Sequence, residues 1–116
     1  MINLNEHICA DEVSMSKRVA ELPSDEVLLR ICNIFNALQS ETRLKILFLL
    51  SGSDLCVREL ELALKVSQSA ISHSLRILRQ LDLVRVRKEG RFAVYYIADE
   101  HVQQLINTCN EHVMEE

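Results

Sequence analysis

The chain has 116 residues, 48% of them hydrophobic and 4% aromatic, with two glycines and one proline. That composition supports one modest core and leaves too little turn chemistry for a sandwich or a barrel, so a mainly helical domain is expected. The N-terminus lacks the basic start and apolar core of a signal peptide, and no apolar run approaches the ~20 residues that cross a bilayer, so a cytoplasmic protein without a membrane partner is expected.

Residues 1–23 form a polar arm with a weak helical pattern ending near Pro23, and partial disorder is expected there. The domain proper, 24–116, opens with Ser24 as a helix cap and Asp25-Glu26 as an acidic first turn. Val27, Leu28, Ile31, Ile34, Phe35 and Leu38 then keep helical spacing to about Gln39. Ser40 caps a second helix, Glu41 to Leu50, with Leu44, Leu47 and Phe48 facing inward and Ser51-Gly52-Ser53 as its stop. Cys56 to Leu64 reads as a short helix, and Ser67 caps another from Gln68 to Leu81 with Ile71, Leu75 and Leu78 inward. Two helices joined by so tight a turn make a helix-turn-helix. Leu83 to Arg87 and Phe92 to Ile97 are strands around the turn Lys88 to Arg91, a hairpin placed as a wing. Asp99 caps a final helix to about Met114, with Val102, Leu105, Ile106, Cys109 and Val113 in one stripe. The predicted fold is therefore mainly α with a small β-hairpin, a winged helix-turn-helix.

Charge is distributed unevenly along these elements. The formal net charge is −4, yet between Lys65 and Arg91 seven basic residues stand against two acidic ones, a local +5 that leaves −9 for the remainder. An acidic body with one basic segment suits a surface that meets a polyanion. A helix-turn-helix sets its second helix in the major groove of DNA, which makes Gln68, Ser69, Ser72, His73 and Arg76 candidates for base or phosphate contact. In the wing, Arg85, Arg87, Lys88 and Arg91 would follow the backbone or enter the minor groove. Each residue taken singly fits a solvated polar face about as well. Their combination, small polar residues followed by a basic hairpin in an acidic chain, favours binding to double-stranded DNA.

The stretch from Ala37 to Glu115 resembles the ArsR/SmtB family of metal-sensing repressors. The resemblance lies in Ala-Leu-Gln-Ser-Glu-Thr-Arg-Leu-Lys-Ile-Leu, Asp-Leu-Cys-Val-Arg-Glu-Leu, Val-Ser-Gln-Ser-Ala-Ile-Ser-His-Ser-Leu-Arg-Ile-Leu and Val-Arg-Lys-Glu-Gly-Arg. It implies a winged-helix repressor, dimerising through its terminal helices, whose effector metal lowers operator affinity.

The C-terminal segment carries Asp99-x-His101 and His112-x-x-Glu115. On one helix His101 and His112 are only ~20° out of line but ~16 Å apart along the axis, so one chain cannot bring them to one ion. Two such helices packed antiparallel in a homodimer would give two four-ligand sites, each with a pair from either subunit. An isolated Asp-x-His is usually a helix cap beside a solvated side chain, but the family's C-terminal sensing pattern matches at Asp99, His101, His112 and Glu115. Two imidazoles and two carboxylates suit Zn2+, with Co2+ or Ni2+ as substitutes.

The four cysteines, at 9, 32, 56 and 109, are widely spaced with no CxxC, and are read as thiols. By the resemblance, Cys56 sits where members with a second, thiolate-rich site carry a ligand, and His7, Cys9 and Glu59 could complete it. Arg58 stands where strongly thiophilic members have another cysteine, and a half-buried Cys56 with an idle arm is the plainer alternative. Cys32 and Cys109, on apolar stripes, are expected in the core or a dimer interface. Besides the metal-responsive repressor, a repressor sensing thiol oxidation or a soft metal through Cys9 and Cys56 and a winged-helix protein-interaction module stay open. No nucleophile-base pair, phosphate loop or open metal site suggests an enzyme.

Overall fold

A computed structural model describes residues 6–115; the first five residues of the arm and Glu116 lie outside the described residues. The chain divides into two compact units, 1–31 and 32–116. In the first, α1 (Glu12–Ala20) is capped by Asp11, whose carboxylate accepts the Ser14 N–H at 2.8 Å, and buries none of its residues. The unit also holds the start of α2 (Asp25–Ala37), where the Ser24 hydroxyl accepts the Val27 N–H at 3.2 Å.

The second unit is the winged-helix body. α3 (Glu41–Gly52) starts at Ser40, whose hydroxyl accepts the Arg43 N–H, while the Arg43 guanidinium donates to the Ala37 carbonyl at 2.7 Å and fixes the corner at the end of α2. β1 (Leu55–Cys56) leads into α4 (Val57–Leu64), and a left-handed Lys65 (φ 56°) turns the chain into α5 (Gln68–Gln80), capped by Ser67. β2 (Val84–Glu89) and β3 (Phe92–Ile97) form the hairpin, and α6 (Glu100–Met114) starts at Asp99. The sheet order is β1-β3-β2, all antiparallel, with Leu55 opposite Tyr95 and Val84 opposite Ile97. The core gathers Ile46 and Leu47 of α3, Leu60 of α4, Ile71, Leu75 and Leu78 of α5, Val84 of β2 and Ile106 of α6. α5 is the element most deeply seated in it.

Four expectations change. α3 runs two residues beyond Leu50, to Gly52, and Phe48 is 41% exposed while Ile46 is buried, because the apolar residues of α3 spread around more than one face and the protomer covers only one. Cys56 is not helical: it closes the short strand β1, opposite Val94, and serves as the N-cap of α4. The wing loop shrinks from four residues to two, Gly90 and Arg91, because Lys88 and Glu89 continue the ladder opposite Ala93 and Phe92. Gly90 takes the left-handed first loop position at φ 61°. Cys32 and Cys109 are exposed in the protomer, which removes the core alternative for them and leaves that of a dimer interface.

On α6 burial stops at Ile106; Cys109 and Val113 continue the same stripe into solvent. With Phe35, Leu38, Leu44 and Phe48 they line an apolar groove of about 470 Å³.

Truncating a side chain at the centre of this core should be costly. Leu75→Ala is expected to destabilise the fold by about 2–5 kcal/mol, read as a lower denaturation midpoint with an unchanged denaturant slope.

Candidate nucleic-acid interface and metal centre

α5 is polar on one side because its apolar residues fall at Ile71, Leu75 and Leu78, which leaves Gln68, Ser69, His73 and Arg76 exposed and Ser72 half-buried. The Ser67 cap, accepting the Ala70 N–H at 3.1 Å, satisfies the first turn without a bulky side chain at the end that would approach a duplex. The five candidate residues therefore share one accessible face.

The wing is less uniform. Alternation along β2 and β3 puts Val84, Val86, Lys88, Ala93, Tyr95 and Ile97 on one face and Arg85, Arg87, Glu89, Phe92, Val94 and Tyr96 on the other. Arg85 is held by Asp82 through two parallel bonds of 3.0 Å, Nε to Oδ1 and Nη2 to Oδ2. Arg87 donates from Nη1 to Asp54 Oδ2 at 2.7 Å and from Nε to Glu89 Oε2 at 2.6 Å, and stands 5.5 Å from the centre of the Tyr96 ring. The bond from Arg85 holds the Asp82 carboxyl below its ordinary value, and the carboxylates raise both arginines above theirs. A phosphate reaching Arg85 or Arg87 would have to displace these partners. Among the described residues, Lys88 and Arg91 have no such carboxylate partner. The Arg87–Glu89 pair follows from β2 running on to Glu89, since residues two apart on a strand share a face, and was hidden by placing Glu89 in the turn. Asp54, 33 residues from Arg87, had no local signal.

The two C-terminal ligand pairs lie at opposite ends of α6. Asp99 Oδ1 accepts the N–H groups of His101 at 3.0 Å and Val102 at 3.2 Å, so Asp99 is a true helix cap. It also stands 3.6 Å from His101 Nδ1, and the His101 side chain is 92% exposed. His112 is in the last turn; Glu115 has left the helix (φ −79°, ψ 110°), its N–H donating to the Glu111 carbonyl at 3.0 Å. Among the described residues, no three metal-binding side chains of one protomer come together.

Cys56 and Glu59 meet differently from the expectation. The Cys56 N–H donates to Glu59 Oε1 at 3.0 Å, half of a capping box, and this bond, with a smaller contribution from the Cys56 thiol, lowers the Glu59 pKa. Cys56 is a free thiol on the rim of a groove of about 380 Å³ with Glu59, Glu89, Phe92 and Val94. His7 and Cys9 are exposed, in the first unit, outside any helix.

Residues 40–86 match the family described as bacterial regulatory protein, arsR family. Over 95 residues the chain is 40% identical to a transcriptional repressor SmtB homolog of Synechocystis, covering 82% of this chain and 72% of that protein. This chain belongs to the arsR family. A cadmium resistance transcriptional regulatory protein CadC homolog of Staphylococcus aureus is 34% identical over 112 residues, covering 94% of this chain and 88% of that one. A homodimeric winged helix-turn-helix DNA-binding domain from Mycobacterium bovis superposes with a TM-score of 0.75 at 28% identity, covering 82% of this chain and 91% of that domain. The arsR-family protein is thus a DNA-binding winged-helix transcriptional regulator and not an enzyme; the residue pattern predicted the DNA-binding winged helix and the family resemblance the regulator. None of its helices, among the described residues, is long and apolar enough to cross a membrane.

The sign of the Glu59 shift is testable. The carboxylate form holds the first turn of α4, so its contribution is complete above the ordinary Glu value of 4.5 and fades as pH falls through the lower folded value. The Cys56 amide proton resonance should titrate with a midpoint below 4.5, and Glu59→Gln should abolish that titration. A midpoint at or above the ordinary value would contradict the capping bond.

Proposed function

We propose that this regulator is a homodimeric, metal-responsive repressor that leaves its operator when Zn2+ is held between the α6 helices of two protomers. The observation that carries the proposal is the layout of α6. Asp99 and His101 converge at its start, His112 and Glu115 stand at its end, and the apolar stripe between them runs into solvent beyond Ile106.

A rod of this length keeps the two pairs ~16 Å apart, so each pair is a half-site that only a second chain can complete. The exposed stripe gives that second chain something to bury: Phe35, Phe48, Cys109 and Val113 form an apolar surface that a second α6, crossing antiparallel, would cover. The donors fit the ion. Asp99 retains a second carboxylate oxygen beyond its capping Oδ1, His101 is open to solvent, and the paired set is two imidazoles with two carboxylates. Zn2+, with Co2+ or Ni2+ as substitutes, would supply a tetrahedral link between the subunits. The names of the SmtB and CadC homologs point to the same class of regulator.

On the operator, each α5 would present Gln68, Ser69, Ser72, His73 and Arg76 to the major groove, and the wing would contribute Lys88 and Arg91, with Arg85 and Arg87 available once their carboxylates are displaced. The two α5 helices must match successive major grooves ~34 Å apart, a spacing set by how the α6 helices pack. Metal and DNA therefore oppose each other through one dimer geometry, with a reciprocal coupling.

A soft-metal or thiol-sensing site at Cys56, completed by His7, Cys9 and Glu59, has one observation in its favour, the free Cys56 thiol beside two carboxylates in a groove. Against it, Glu59 Oε1 already accepts the Cys56 N–H and Glu89 Oε2 already pairs with Arg87.

Fluorescence anisotropy of a labelled promoter fragment tests the proposal. Zn2+ should weaken wild-type binding by about 5–150-fold, and His101→Ala or His112→Ala should abolish that response while metal-free binding persists. A response undiminished in either variant would sink the C-terminal site, and binding insensitive to salt would favour a protein partner over DNA.

The pairing across subunits has its own test. A heterodimer of His101→Ala with His112→Ala combines one intact site with one doubly broken site. It should recover tight binding of one Zn2+ per dimer, where either homodimer binds weakly. Equal binding by both homodimers and the heterodimer would show that ligands do not come from opposite chains.

A further inference from the structure

The seven cations between Lys65 and Arg91 are not equivalent in the folded chain, and the difference locates a site where the recognition face meets the sheet. Arg85 and Arg87 are neutralised by Asp82, Asp54 and Glu89. Arg76 and Arg79, one turn apart on α5, have no carboxylate within ion-pair reach among the described residues. Both line a cleft of about 480 Å³ between α5 and the sheet, together with Ser72, Gln80 and Tyr95. Every lining residue carries a hydrogen-bond donor, two carry full positive charges, and none is acidic.

The cleft is anchored on both sides. Tyr95 packs against the hydrophobic core and pairs across the sheet with Leu55 and Val86. On the helix, Leu75 and Leu78 are fully buried next to the two arginines in sequence, which fixes the roll of α5 and hence the direction of the arginine stems. Asp82 lines the neighbouring depression with Arg79, but both of its oxygens are engaged by Arg85. It therefore neutralises Arg85 rather than Arg79. Strand alternation puts Lys88 on the same sheet face as Tyr95, nearer the wing tip.

The geometry points to this cleft as a seat for a backbone phosphodiester of the operator, clamped by Arg76 and Arg79 with Ser72, Gln80 and Tyr95 as supporting donors. Arg79, Gln80 and Tyr95 thereby join the DNA-binding surface, extending the side of α5 that holds Ser72 and Arg76 toward the end of the helix and the sheet. A phosphate clamp of this kind positions the duplex between recognition helix and wing and carries no sequence information. The inference rests on operator binding by this chain but not on its metal response, so its test uses metal-free protein throughout.

Arg79→Gln and Tyr95→Phe are compared with wild type on the promoter fragment and on a scrambled duplex, over a range of salt. Arg79→Gln should weaken both duplexes alike, by ~5-fold near 0.15 M salt, and reduce the magnitude of the salt slope by about one. Tyr95→Phe, which keeps the ring in the core, should weaken both duplexes with the slope unchanged. The clamped phosphate is then located by methylphosphonate substitution, one step at a time. At that step the neutral linkage should weaken wild type and leave Arg79→Gln unaffected. An unchanged slope in Arg79→Gln, or an effect confined to the promoter sequence, would overturn the proposal. Inorganic phosphate is the control for a small-anion site. Protection of the Arg79 resonances by millimolar phosphate without competition from duplex would assign the cleft to a free anion and would equally overturn it. The metal response in Arg79→Gln should keep the wild-type fold-change, which separates failure of this site from failure of the metal-sensing proposal.

Discussion

The seating of α5 governs most of what this protein presents to the outside. Ile71, Leu75 and Leu78 enter the core together, against residues of α3, α4 and the sheet, and leave the helix no freedom to roll. Because a helix is a rigid cylinder, fixing three apolar residues on one side fixes every polar residue on the other. The recognition face, the arginine-lined cleft and the angle at which the wing departs after Leu83 are consequences of that one packing arrangement. The Leu83 N–H donating to the Leu78 carbonyl, at 2.9 Å, carries the constraint from the end of the helix into the hairpin.

Electrostatics divides the basic segment into two populations. Exposed ion pairs contribute little to stability, so the pairs of Arg85 and Arg87 are better understood as shaping the wing and limiting its charge than as holding the fold together. Under the release by metal proposed above, such restraint would be an advantage. A coupling of a few kcal/mol can tip an equilibrium only if binding to DNA is not far stronger than the coupling itself. Internal neutralisation of Arg85 and Arg87 limits the charge the wing can offer a duplex, whereas Lys88 and Arg91 have no carboxylate partner among the described residues.

The elements legible in the sequence are those with local causes. Ser24, Ser40, Ser67 and Asp99 each cap the helix that follows, and the side-chain oxygens of all four accept backbone N–H groups. The arsR-type helix-turn-helix and its wing were readable because cap, apolar spacing and turn agree with one another over a short stretch. What was not legible depends on partners distant in sequence. Two residues, Leu55 and Cys56, become a strand only because β3 offers them a free edge. Asp54 meets Arg87 through the same folding event. Phe48 keeps helical spacing yet faces solvent, since periodicity says which residues share a face and not what covers that face. In the candidate metal centre, spacing put the two residue pairs at opposite ends of one helix, but it did not show that one Asp99 oxygen is taken up by two backbone N–H groups or that Glu115 sits past the helix end, details set by local hydrogen bonding.

The apolar stripe of α6 that outruns its own core has a consequence for dosage. If a second copy covers it, the assembled regulator forms in proportion to the square of the free chain concentration whenever chains are scarce. Paired reading heads and completed metal sites would then arise in the same step. Low expression would silence both together, so that a cell with few copies has neither repression nor a half-working sensor that sequesters metal.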